Sequence, residues 1–300
     1  MAWTTHWIGI LRQNNKYRHL LRFGLLMLIW LALSSTAWAE SLQTRVQAFP
    51  HWSNLPTVQP AQGDLVYPDW FRGTWQVEST LVDLEAPLAP HVITPGFEGN
   101  RRYLHQPLTF QVRFLPPQLV PGRSSRSFWR SWQQTWQGWL PEFSPKQAEI
   151  VADRAFNGFN IAQAYLGNTD SETASPLESV VVDQNNPNRQ VTTFRQDSQT
   201  LQLVTIVTDR ATETPADDRS QFLTTEISQQ FFRSRPQIYL NRVETTTAYQ
   251  FDPDRQRIEA EQFTAVYLSP EDPQYFQALD QPVALYHYHL NLQPNHTRTQ

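Results

Sequence analysis

Phe71-Arg72-Gly73-Thr74-Trp75-Gln76-Val77-Glu78-Ser79-Thr80-Leu81-Val82 is the stretch on which the fold turns. Tyr67-Pro68-Asp69-Trp70 before it carries turn chemistry. Gly73 then frees the backbone to enter the fold at a tight angle. From Gln76 the run alternates with the period of two that marks a half-buried strand. Trp75 falls on the inward face of that strand, where its indole would plug one end of a curled sheet.

Working outward, runs rich in Thr, Val, Ile, Phe and Tyr follow near 107–114, 148–156, 159–166, 178–183, 190–195, 200–208, 220–232, 238–250, 256–268 and 283–291. Asn185-Asn186-Pro187-Asn188, Gln196-Asp197-Ser198 and Asp252-Pro253-Asp254 separate some of them as turns. Short links between consecutive strands imply antiparallel neighbours, hence a meander. Several runs exceed the usual strand of about five or six residues, and long coiling strands close on themselves, which removes exposed edges. The expectation is an all-β fold: an antiparallel up-and-down β-barrel of about ten strands, one domain over 67–292 with a flexible tail at 293–300. No helical period is read after Lys146, so a parallel α/β sheet is set aside.

One segment breaks the pattern. Within an insertion at 115–146, Trp129, Trp132, Trp136 and Trp139 join Phe128 and Leu140 on one side of a helix, a sector of roughly 120°, with Arg130, Gln133, Gln134 and Gln137 opposite. Ser124 or Ser125 can cap its start, and Pro141 stops it. This amphipathic aromatic helix admits three readings: core cover for the barrel, a face that settles at a membrane surface with Arg123, Arg126 and Arg130 on lipid phosphates, or a protein-docking face.

At the other end of the chain, Arg12, Lys16, Arg18 and Arg22 precede an apolar run from Phe23 to Leu33, and Ala37-Trp38-Ala39 supplies a small-x-small cleavage pattern. The run falls short of the roughly 20 apolar residues that span a bilayer, so 1–39 is expected to be a cleavable signal peptide for the general secretion route. Residues 40–66, rich in Pro, Gln and Ser, are expected to form an extended N-terminal arm. Without the first 39 residues, 20 Lys+Arg face 28 Asp+Glu, an acidic balance that disfavours nucleic acid. The absence of cysteine excludes disulfides, thiolate metal sites and cysteine nucleophiles.

Few residues suggest chemistry. In Leu285-Tyr286-His287-Tyr288-His289-Leu290 the tyrosines share one face and the histidines the other. Two imidazoles at i and i+2 could ligate a metal, or His287 or His289 a haem, but the remaining histidines lie in segments read as loops, termini or strand edges; no metal and no cofactor is expected. Arg242 and Glu244 on one long strand, and Arg257, Glu259 and Glu261 on the next, alternate. Pointing inward they would hold an amphipathic ligand's head, with Arg242 pairing an anion; pointing outward they are cross-strand ion pairs. No phosphate loop, nucleophile elbow, His-Glu-x-x-His or Cys-x-x-Cys is present, and catalysis is not expected.

The opening at Gly73, Thr74 and Trp75, after an aromatic and before an alternating strand, resembles the Gly-x-Trp entry of the calycin superfamily, the lipocalins and fatty-acid-binding proteins. Tyr67-Pro68-Asp69-Trp70-Phe71-Arg72-Gly73-Thr74-Trp75, followed by Pro87-Leu88-Ala89-Pro90 and preceded by a secretion signal, is also similar to an uncharacterised family of cyanobacteria and chloroplasts, over most of 66–291. The first likeness implies a ligand-holding barrel, with Trp75, Arg242, Tyr286 and Tyr288 as candidate ligand contacts; the second implies the thylakoid lumen or periplasm. The expected function is non-catalytic binding of a small apolar or amphipathic molecule, such as a lipid, quinone or pigment. The alternative is an interaction protein that assists a photosynthetic membrane complex through 123–140.

Overall fold

The computed structural model describes residues 41–92, 94, 96–121, 149–167, 177–196, 199–234 and 237–295. The expected signal peptide, and the tryptophan-rich helix with Trp129, Trp132, Trp136 and Trp139, lie outside the described residues.

The strands are β1 (Gln59–Pro60), β2 (Val66–Tyr67), β3 (Gly73–Glu85), β4 (Pro107–Leu115), β5 (Ile150–Ala152), β6 (Leu177–Val182), β7 (Arg189–Gln196), β8 (Gln199–Glu213), β9 (Gln221–Ser234), β10 (Gln237–Asp252), β11 (Arg257–Leu268) and β12 (Ala284–Pro294). They join one antiparallel sheet in the order β2-β5-β4-β3-β12-β11-β10-β9-β8-β7-β6, with β1 against β8. The entry strand β3 pairs with the last strand β12, Val77 opposite Leu292 and Leu81 opposite Tyr288. Strands of 12 to 16 residues from β8 to β11 coil under their right-handed twist. Bulges at His287/Tyr288 and Val207/Asp209 add to the bend, and the sheet curls into a half-barrel. Its strand path has two ends, β2 and β6, with no pairing between them among the described residues.

A helix bridges that gap, and it corrects the strand expected at 159–166. Arg154–Gly167 is α2; only Ile150–Ala152 of the expected 148–156 strand is extended. Asp153 starts the helix by accepting a hydrogen bond from the Phe156 amide at 3.2 Å, as an N-cap does. Asp153 also takes the Arg113 guanidinium of β4 at 2.5 and 3.1 Å, while Asn157 accepts from the Arg113 amide at 2.7 Å. The helix start is thus pinned to β4. Its far side rests on β6 and β7. Gly158 makes that approach possible, since a Cβ there would sit 2.8 Å from Gln190 Nε2 and 3.1 Å from Val180 Cγ1.

Alternation divides the sheet's two faces. The concave face carries a core of Phe71, Trp75, Val77, Val112, Phe114, Phe222, Ile258, Ala260, Leu290 and Leu292. Gly73 holds φ at 120° at the entry, a conformation that residues with a Cβ rarely adopt. The Trp75 indole is buried and donates to the Phe71 carbonyl at 2.7 Å. Farther along the sheet a second core gathers Leu81, Val92, Phe97, Val243, Val266, Leu268 and Tyr286.

The convex face is covered by the arm, which is not simply extended. A helix, α1 (Leu42–Gln47), is capped by Ser41, whose hydroxyl accepts from the Thr44 amide. Trp52 then packs with Phe263, Ala265, Tyr267 and Leu285. Under this cover the Arg45 guanidinium reaches both carboxylate oxygens of Glu244, at 3.0 and 2.7 Å, and stacks 4.1 Å from the Trp52 ring centre. Tyr267 donates to Glu244 at 2.8 Å, and the Trp52 indole donates to the Arg45 carbonyl at 2.8 Å. Every partner is satisfied locally, which is what lets a charged pair persist in a dry site. Among the described residues no helix is long and apolar enough to cross a membrane.

Candidate ligand-binding cavity

In α2, Arg154, Asn157, Gly158, Ile161, Ala162 and Tyr165 stand at i, i+3, i+4, i+7, i+8 and i+11, the spacing that keeps side chains on one helical face. That face looks onto the concave sheet. Between the two lies a cavity of about 440 Å³, bounded by these helix residues except Tyr165, by Leu65 and Tyr67, Gln190, Thr192 and Phe194 of β7, Thr224 and Glu226 of β9, Thr245, Thr247 and Tyr249 of β10, and Gln262 of β11. A second void of about 210 Å³ lies against Val77, Phe110, Val112, Phe114, Tyr165, Tyr288, Leu290 and Leu292. Tyr67, Ala152, Asn157, Ile161, Tyr249 and Gln262 border both. Both spaces have a mainly apolar lining; the larger one adds Asp64, Arg154 and Glu226 to its hydroxyls and amides, whereas the smaller one holds no charged side chain.

In the larger space two arginines converge on the Glu226 carboxylate. Arg154 Nη2 lies 2.6 and 2.7 Å from the Glu226 oxygens, and Arg210 Nη2 donates to Glu226 at 2.9 Å and to Asn188 at 2.5 Å. Burial works against the charge on Arg154, but Glu226 outweighs it and holds the guanidinium's pKa above its ordinary value. Burial, reinforced by Tyr249 and Glu226, pushes the Tyr67 pKa well up. Burial likewise raises Tyr249 to about 12. Both phenols are therefore neutral hydroxyls at physiological pH, able to donate and accept.

The structure distributes the sequence-derived candidates unevenly. Tyr288 lines the apolar void, where burial raises its pKa and Tyr165 is its hydrogen-bond partner. Tyr286 is on the same face but belongs to the second core, with its hydroxyl accepting from Asn100 at 3.1 Å. Trp75 packs in the adjoining core and borders neither void. Arg242 departs from the expected ligand contact: it alternates with the inward Val243 and Thr245, and its guanidinium pairs with Asp280 at 2.9 Å. Glu244, Glu259 and Glu261 share its outward face, by the same alternation.

His287 and His289 lie together on the convex face, opposite the tyrosines. Both bond to Glu261, at 2.6 and 2.9 Å, and His287 stacks on Phe263 with centroids 4.5 Å apart. Burial raises the Glu261 pKa, but the two histidine hydrogen bonds overcome it, and the net direction is down. Among the described residues no group of three or more His, Cys, Asp and Glu side chains is arranged to hold a metal ion.

Arg154, Glu226, Arg210, Tyr67 and Tyr249 are the site residues that the sequence reading missed. The signal that could have found the helix and Arg154 is the 154-157-158-161-162-165 stripe behind a capping Asp153, a helical period hidden among β-prone residues; Tyr67, Arg210, Glu226 and Tyr249 carry no comparable local signal.

These features define an antiparallel half-barrel with a helix laid across its open side and a divided cavity beneath. Residues 59–296 match the family model described as a domain of unknown function (DUF6816), and the chain belongs to that family. No curated protein and no solved structure matches it.

Proposed function

We propose that this protein is an exported, non-catalytic carrier that holds a small amphipathic or apolar molecule, such as a lipid, quinone or pigment, beneath α2. The observation that carries the reading is the adjoining pair of mainly apolar spaces, about 440 and 210 Å³, of which only the larger carries charged side chains. Ligand cavities are of this size and mix a hydrophobic lining with a few convergent polar groups. A calycin-like architecture fits the same reading, with the buried Trp75 behind the Gly73 entry and a cup rather than a flat sheet around the ligand. The periplasm or thylakoid lumen is the proposed location, on the strength of the leader sequence.

Ile161 borders both spaces, so Ile161→Trp would occupy them with indole. Nile red, an uncharged apolar dye, should fluoresce strongly with the unaltered protein and weakly with Ile161→Trp, at equal far-ultraviolet circular dichroism. Equal enhancement by both proteins would contradict the reading.

A further inference from the structure

The cavity also constrains the chemistry of the head it accepts, on the carrier reading above. The charged side chains lining or feeding it cancel: Arg154 and Arg210 both bond to Glu226, and Asp64, which borders the same space, acts on Arg154 through its field. Two positive and two negative side chains leave no net charge. Arg210 is further committed to Asn188 and, through its other terminal nitrogen, to the Gly63 carbonyl at 3.0 Å. An anionic head would have to displace Glu226 from its arginines or sit beside that carboxylate, and either course leaves one charge uncompensated.

What remains to meet a ligand is uncharged. Thr224, Thr247, Tyr249, Gln190 and Gln262 line the space, and hydroxyls and carboxamides both donate and accept. A head that only accepts, such as a quinone carbonyl, would leave the acceptor half of these groups unpaired, and buried unpaired polar atoms are costly. A head bearing several hydroxyls satisfies both halves. The apolar void alongside then takes a hydrocarbon chain past Tyr249 and Gln262, which border both spaces.

We infer that the cavity selects amphiphiles with an uncharged, multiply hydroxylated head, of the chemical class of a glycosylated lipid, over fatty acids and other anionic lipids. Isothermal titration calorimetry on the purified protein tests this with three probes: n-octyl β-D-glucoside, sodium octanoate and decylubiquinone. The glucoside should bind at least about tenfold more tightly than either of the others, the scale set by unpaired buried polar groups. Asp64→Asn and Glu226→Gln each remove one negative charge and should raise octanoate affinity, narrowing the gap; should Glu226→Gln fold poorly, Asp64→Asn and the ranking in the unaltered protein still decide. Octanoate binding as tightly as the glucoside, or decylubiquinone binding where the glucoside does not, would overturn the head-group inference and leave the carrier reading standing. Failure of all three probes would overturn both.

Discussion

Arg154 and Glu226 stand 72 residues apart in the chain and meet at 2.6 and 2.7 Å, joining the helix over the open side of the half-barrel to the concave face of β9. The contact explains how α2 keeps its place without closing the cavity. Asp153, Asn157 and Arg113 fasten the helix start to β4, and Arg154 adds an anchor to the floor.

Arg154→Ala should therefore loosen the helix rather than unfold the sheet. Arg210 still satisfies Glu226, so the loss is expected near the lower end for a charged hydrogen bond, about 1–2 kcal/mol. Urea denaturation checks the size, and hydrogen exchange checks the place: protection should fall in 154–167 and hold in β9 to β11. Uniform loss across the sheet would contradict this assignment.

Glu244→Ala should cost more, about 3–5 kcal/mol, because it strands the Arg45 guanidinium in a dry site; the two side chains are only 3% and 0% exposed. Arg45→Met combined with Glu244→Leu should recover most of the loss, since an apolar pair of similar volume does not leave a charge unpaired. Trp52→Ala, which opens the same cover, is expected to cost about 3–5 kcal/mol. A double variant no more stable than Glu244→Ala would show that packing of the arm, not the charge, is what matters there.

Glu261 gives a pH dependence with a definite sign. The folded protein holds its pKa below the usual carboxylate value, so its contribution is present above that value and is lost as pH falls through the depressed folded pKa. Glu261→Gln should consequently be less stable than the unaltered protein at neutral pH and should lose less stability on acidification. Urea midpoints measured across the acid range compare the two, and parallel curves would refute the coupling to His287 and His289.

Much of the sheet was legible because a period of two is a local signal. The entry at Gly73 and Trp75 and the division of Tyr286 and Tyr288 from His287 and His289 both follow from alternation. The helix at Arg154–Gly167 was not read, because Phe156, Phe159, Ile161 and Tyr165 are β-prone residues whose helical spacing matters only once β4 and β6 offer a surface for it. The arm was misjudged for a related reason. Its Arg45 and Trp52 gain an environment only when β10 and β11 present Glu244 and Tyr267 from about two hundred residues away in sequence. Arg242 shows the limit of alternation: the pattern assigns two faces and leaves open which one holds the cavity.

The bound molecule itself is the central claim, and native mass spectrometry of the protein purified from its own host reads it most directly. The account predicts a population carrying a noncovalent adduct of a few hundred daltons that is released on activation and is absent from Ile161→Trp. Bare polypeptide mass in every charge state under gentle ionisation, for both proteins, would contradict it.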